Sequence, residues 1–143
     1  RNININVVRK FVDYDIYENW FRKGHPIKGD ILISTVGSIG QIGQVYDEKI
    51  CIAQNIVALR SNISSNFLYE LLKFIQKEII SIDISSVQPS IKVPHLLNIE
   101  IIIPDEKSVH RFDTVVNNLT NKLFENYKRT EREDRRGFRK CCF

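Results

Sequence analysis

The sequence predicts an α+β fold: a mixed, mainly antiparallel β body with packed helices, followed by a long C-terminal helix of the coiled-coil type. Three observations predict it. Short apolar, β-branched segments separated by glycine-containing turns fill the first 60 residues. From Phe67 to Ile79, apolar residues recur every three or four positions, the period of a helix with one buried face. Near the C-terminus Phe112, Val116, Leu119 and Leu123 repeat with 4-3-4 spacing, the pattern of a seam that faces another helix.

The elements follow in order. Ile3, Ile5 and Val7 alternate with Asn4 and Asn6, which predicts an opening strand. Phe11, Tyr14, Ile16, Tyr17, Trp20 and Phe21 are spaced for a helical turn or two packed under a loop, and His25-Pro26 ends any helix there. Gly29-Asp30 reads as a turn into the strand Ile31 to Thr35. The segment Gly37 to Gly43 reads as a glycine-punctuated turn, and the return strand is Gln44 to Tyr46. Ile50 to Ile52 and Ile56 to Leu59 are further strands.

Ser65 or Asn66 can cap the first long helix by accepting from its free backbone N–H groups. Ser81 to Lys92 is polar, and Pro89 forbids a central strand there. Ile99 to Ile103 is predicted as a strand ended by Pro104. The last helix is expected from Ser108, with Gly137 as its stop.

Composition narrows the class. With 43% hydrophobic and 27% charged residues, the chain falls among ordinary folded domains and away from disordered or collagen-like ones. No apolar run approaches the roughly 20 residues that span a bilayer. The N-terminus is polar, so no signal peptide is visible. Three cysteines, two of them adjacent at 141 and 142, do not form a disulfide framework, and a reducing, cytoplasmic location is expected. The chain has no Met and begins Arg1-Asn2-Ile3, which leads us to expect a fragment or a processed product.

The net charge of +4 is uneven. Residues 1–28 hold six Lys/Arg against three acids, residues 29–127 eight against eleven, and residues 128–143 seven against three. Basic ends flanking a mildly acidic middle permit nucleic-acid binding without requiring it. The stretch from Lys128 to Lys140 reads as a solvated helix end or an extended tail, since so polar a run cannot bury a face.

Enzymatic chemistry finds little support. The segment Gly37-Ser38-Ile39-Gly40-Gln41-Ile42-Gly43 lacks the Gly-Lys-Ser/Thr that opens a phosphate-binding helix, and a strand follows it. His25, His95, His110 and Cys51 are scattered, without the paired spacing of metal ligands. No Gly-x-Ser-x-Gly elbow occurs. One alternative stands: Asp105 and Lys107 have the D-x-K spacing of metal-dependent nucleases, with Asp83 upstream, so a Mg-dependent nuclease is the rival reading. A helix-mediated protein-interaction module is the third.

What remains is a set of polar residues able to read bases, among them Ser38, Gln41, Gln44, Gln54, Asn55, Gln88, Ser90 and Lys92. Gln and Asn can bond adenine with two hydrogen bonds, and Lys can bond guanine or phosphate. The order of segments is more specific. KGDILISTVGSIGQIGQV (28–45), CIAQNIVALRSN (51–62), FLYELLKFIQKEI (67–79) and SVQPSIKVPHLLNIEIIIP (86–104), followed by a helix, form one series. That series resembles the target recognition domain of the DNA specificity subunit of type I restriction–modification systems. The resemblance covers about residues 8–124, and YENWFRKGHPIKGD (17–30) matches the family's approach to its Gly-Asp-Ile-Leu strand. Ser108 and Val109 stand where the family shows Glu-Gln, and residues 129–143 fall outside the match.

The resemblance implies a non-catalytic subunit in which each recognition domain reads half of a bipartite site in double-stranded DNA. It implies helices that separate two such domains and dock methyltransferase subunits, and a restriction subunit that completes the complex. No cofactor is expected here; S-adenosylmethionine, ATP and Mg would belong to partner subunits. Residues 1–106 would form the recognition domain, its N-terminal part missing, and residues 107–143 a spacer helix and basic tail. Arg22, Lys23 and Lys28 would hold phosphates, while Thr35, Ser38, Gln41, Gln44, Gln88, Ser90 and Lys92 would face bases. The seam Phe112, Val116, Leu119 and Leu123 would pair with a second recognition domain's helix, or with a second copy of this chain.

Overall fold

The structure is a computed structural model, which describes residues 10–20, 24–46, 50–83, 87–131 and 139–142. The predicted strand at Ile3 to Val7 lies outside the described residues. In chain order the elements are β1 (Lys10–Val12), α1 (Tyr14–Trp20), β2 (Ile31–Ser34), β3 (Ile42–Gln44), β4 (Ile50–Ile52), β5 (Ile56–Leu59), α2 (Ser65–Phe74), α3 (Gln76–Ser81), α4 (Val93–Leu97), α5 (Glu106–Glu131) and β6 (Arg139–Cys142). The α+β class is confirmed.

Strand β2 organises the body. It is central in an antiparallel sheet of order β3-β2-β5, with Ile31 opposite Gln44 on one side and Leu59 on the other. Ile31, Leu32 and Ile33 are all fully buried. Ile31 and Ile33 face Leu68, Leu72, Ile75 and Ile79 from α2 and α3, whereas Leu32 faces Val45, Ile50, Ile52 and Ile56. A strand covered on both faces needs a continuous apolar run rather than an alternating one. Each such side chain contributes about 1.5–3 kcal/mol by leaving water.

The predicted long helix from Phe67 to Ile79 is present as two, α2 and α3. Ile75 sits between them at φ −90°, ψ 15°, outside helical geometry, yet its carbonyl still accepts from Ile79 N at 3.1 Å. The apolar face thus survives the break. The cap is Ser64 rather than Ser65 or Asn66: its hydroxyl oxygen accepts from Phe67 N at 3.1 Å. Ser64 also donates to the Asp113 carboxylate of α5, while Asn66 Nδ2 donates to Asn117 Oδ1 at 2.7 Å. The residues expected to cap α2 therefore include one that ties it to another helix.

The strand expected at Ile99 to Ile103 is not formed. Among the described residues no strand pairs with this segment, so its backbone has no ladder to join. Its alternation has another cause: Ile99 and Ile101 pack against the α2–α3 core, while Ile102 is 88% exposed. Period-2 hydrophobicity reports which side chains face the core, and does not require pairing. The short helix α4 just before it, with Pro94 in its first turn, has no counterpart among the predicted elements.

Helix α5 begins at Glu106, two residues earlier than expected, and is described as far as Glu131; its expected stop, Gly137, lies outside the described residues. Asp105 caps it: Ser108 N donates to Asp105 Oδ1 at 3.1 Å and Ser108 Oγ to Oδ2 at 2.7 Å. Of the seam, Phe112 meets Phe67 of α2 edge-on, ring centroids 5.7 Å apart, so its first contact is within the chain. Val116 is half-buried and Leu119 exposed; the Leu123 side chain lies outside the described residues. The tail holds a strand that the sequence pattern does not predict. β6 lies between β1 and β4, antiparallel to the first and parallel to the second, in a second three-stranded sheet. Among the described residues, no helix is long and apolar enough to cross a membrane.

Candidate nucleic-acid interface

Two of the nominated loops meet. The 35–41 turn leaves the C-terminal end of β2, and residues 87–92 lie against it. Gly37 N donates to the Pro89 carbonyl at 3.0 Å, and Ile91 N to the Thr35 carbonyl at 2.8 Å. These bonds frame an antiparallel bridge between Val36 and Ser90. Backbone alternation then decides which side chains face out. Thr35 and Ile91 are 5% and 4% exposed and point inward, leaving Val36, Ser90 and Lys92 on the outer side.

Each loop is fastened from below. Within the 35–41 turn, Ser34 Oγ donates to the Ser38 carbonyl and accepts from Gln41 N at 2.8 Å, and Gly40 N donates to the Ser34 carbonyl at 2.8 Å. Gly37 and Gly40 take φ of 77° and 71°, values that strain any residue with a Cβ. Gly40 also sits on α3, where an added Cβ would lie 2.5 Å from Ile80 Cγ1. The same helix grips both loops. Gln76 Nε2 donates to the Gly40 carbonyl at 2.7 Å, and Asp83, just after α3, accepts from Ser90 N at 3.1 Å.

The nominated residues now divide. Ser38, Gln88 and Lys92 are exposed on the joined loops, and Ser90 and Gln41 are half-buried beside them. Lys92 is the only charged residue in 35–41 and 87–92. Thr35 and Gln44 do not belong with these base-facing residues. Thr35 is buried, with its hydroxyl donating to the Asn55 carbonyl at 3.2 Å. Gln44 is 6% exposed, and its Nε2 donates to Asn66 Oδ1 at 3.2 Å, so it links β3 to α2 and through Asn66 to α5. Lys28 is exposed but lies at the opposite end of β2, roughly 13 Å of strand away from the joined loops. Arg22 and Lys23 lie outside the described residues.

Residues the sequence did not nominate do much of the holding. Ser34 and Gln76 carry no sequence signal, since their roles depend on contacts with other segments. Two of the three nuclease candidates make structural contacts. Asp83 fixes the Ser90 backbone, and Asp105 is a helix cap whose Ser108 hydrogen bonds hold its carboxyl below the ordinary carboxylate value. His25 is stacked on Tyr17, ring centroids 3.7 Å apart. Among the described residues, no three His, Cys, Asp or Glu side chains gather as a metal site.

At the other end of β2, Asp30 holds the turn. It is 3% exposed and accepts from Ile27 N at 2.9 Å and from the Arg60 guanidinium. Burial pushes its carboxyl up, but the Arg60 hydrogen bonds, the Ile27 N–H and the Arg60 charge together bring it below its ordinary value.

The arrangement can present hydroxyl, amide and ammonium groups on a braced platform to a ligand with hydrogen-bonding edges. Bracing lowers the entropy lost on binding, because the loops are ordered beforehand. Comparison with curated proteins finds no match for the chain. The family model for the type I restriction modification DNA specificity domain matches residues 7–127, which span both loops, their α3 brace and most of α5, and the chain belongs to that family.

Proposed function

We propose that this chain reads one half of a bipartite site in double-stranded DNA, as the non-catalytic specificity component of a type I restriction–modification complex. The observation that carries this reading is the joining of the 35–41 and 87–92 loops on α3, in a chain of the DNA specificity family. Ser38, Gln41, Gln88 and Ser90 would offer donors and acceptors to base edges. Lys92, with Arg22, Lys23 and Lys28, would neutralise phosphates and set the register.

Catalysis would reside in methyltransferase and restriction subunits, which would carry S-adenosylmethionine, ATP and Mg in a shared cytoplasmic complex. The part of α5 from Val115 onward would act as the spacer. Val115 and Leu119 are 65% and 59% exposed there, and would meet the helix of a second recognition domain or of a second copy. Electrophoretic titration of random duplex DNA at rising salt tests the DNA reading. Affinity that falls steeply as salt rises supports phosphate contacts; salt-independent or absent binding overturns it. Co-expression with the methyltransferase subunit tests assembly, through retention of both chains on one affinity column.

A further inference from the structure

Two sets of residues along α3 do different work. Ile75, just before it, and Ile79 are buried in the core against β2. Gln76, Ile80 and Asp83 follow at i, i+4 and i+7, a spacing that brings side chains onto one side of a helical path. Each of these three meets a loop. Gln76 Nε2 donates to the Gly40 carbonyl at 2.7 Å, and Gly40 lies so close to α3 that an added Cβ would fall 2.5 Å from Ile80 Cγ1. Asp83 Oδ1 accepts from Ser90 N at 3.1 Å.

The shape of the 38–41 turn and its placement have separate causes. Ser34 Oγ donates to the Ser38 carbonyl and accepts from Gln41 N, while Ser34 N donates to the Gln41 carbonyl at 3.0 Å and Gly40 N to the Ser34 carbonyl at 2.8 Å. Those bonds close the turn onto the end of β2 and set its shape. The two loops are joined nearer their roots, by the Gly37–Pro89 and Ile91–Thr35 bonds. Gly40 lies past that joint, between Ser38 and Gln41, and Gln76 fixes it from outside the turn.

We propose that Gln76 is a positioning residue for DNA recognition: it touches no base, and by holding the Gly40 carbonyl it sets where Ser38 and Gln41 stand relative to Ser90. The role rests on the DNA-reading function above. Hydrogen bonds to base edges weaken steeply as their angle closes. Attraction to phosphates changes gently with distance. Displacing the turn therefore costs discrimination and spares general affinity.

A preferred duplex is selected from random sequences with the full chain. Its affinity, and that of a scrambled duplex of the same composition, are measured by fluorescence anisotropy. Gln76→Ala removes the donor, and Gln76→Glu keeps the shape but turns a carboxylate on the Gly40 carbonyl. In Gln76→Ala the preferred-to-scrambled ratio should fall about tenfold, within what one base contact discriminates, while affinity for the scrambled duplex stays the same. In Gln76→Glu the ratio should fall at least as far. Ser64→Ala removes the cap of α2, at the end of that helix away from α3, and is a control for lost stability alone. Its ratio should match the parent, and melting curves compare the stability lost in each variant. Selection that yields no preferred duplex overturns the DNA reading itself. An unchanged ratio in either Gln76 variant, an equal loss on both duplexes in Gln76→Ala, or the same fall in Ser64→Ala overturns the positioning role alone.

Discussion

Arg60 grips Asp30 with a two-pronged hydrogen bond, Nε to Oδ1 at 2.9 Å and Nη2 to Oδ2 at 2.8 Å, across the open end of the β2–β5 ladder. The carboxylate is 3% exposed and the arginine side chain 59%. The pair therefore matters mainly for what it does to Asp30. A buried carboxylate without its cation would keep its charge at a cost, or take up a proton. Asp30 also orders the Ile27 N–H, and its own backbone bonds Val45, so the turn into β2 depends on it.

The pair sets an acid limb of stability. Asp30 has a lowered folded value, so its contribution is fully present above the ordinary carboxylate value and is lost as pH falls through the lower folded one. Arg60→Lys replaces the fork with a single point charge and should lower the melting temperature by a few degrees at pH 7. Arg60→Ala should lower it further and flatten the acid limb. Melting curves from pH 7 to pH 2 check both, and an unchanged pH profile in Arg60→Ala would count against the assignment.

Gly40→Ala should destabilise the chain by about 1–3 kcal/mol, from a positive φ and a collision with Ile80 Cγ1. The double variant with Ile80→Ala removes the collision and leaves the backbone strain. Urea titration should show partial recovery relative to the sum of the single effects. Strict additivity would mean that the contact with α3 contributes nothing.

Gln44→Ala should cost about 1 kcal/mol of stability, by removing the donor to Asn66 in the relay from β3 to α5. It should leave DNA affinity unchanged, because the side chain is buried. A selective loss of binding at unchanged stability would return Gln44 to the interface.

Asp105→Ala should lower the melting temperature by about 3 °C through loss of the α5 cap. Incubation of the parent with duplex DNA and Mg²⁺ should give no cleavage. Cutting that disappears in Asp105→Ala would establish a nuclease and displace the non-catalytic DNA-reading function.

Much of the architecture was legible because it depends on short-range pattern. Ile31 to Ile33 could be read as a buried strand, and the α2 face from Leu68 to Ile79, since burial imprints its period on the sequence. Ile99 to Ile103 misled for the same reason: packing alone produced alternation. β6 was illegible because a basic, polar run gives no apolar signal, and its partners are set by strands more than 80 residues away. The site was legible in part. The family resemblance nominated loops around 35–44 and 86–92, but not that α3 braces them. Thr35 and Gln44 look like base readers in sequence, as any polar side chain does. Only the fold shows that Thr35 alternates inward beside Ile91, and that Gln44 reaches Asn66.

Whether the exposed polar groups of the joined loops carry sequence information is tested most directly by one competition titration. The Gln88→Ala, Ser90→Ala double variant is titrated with the duplex selected by the parent chain and with a scrambled duplex of the same composition. The ratio of the two affinities should fall at least tenfold, in line with about 1–3 kcal/mol per base contact, while affinity for the scrambled duplex stays the same. An unchanged ratio, or an equal loss on both duplexes, would contradict a base-reading role for these loops.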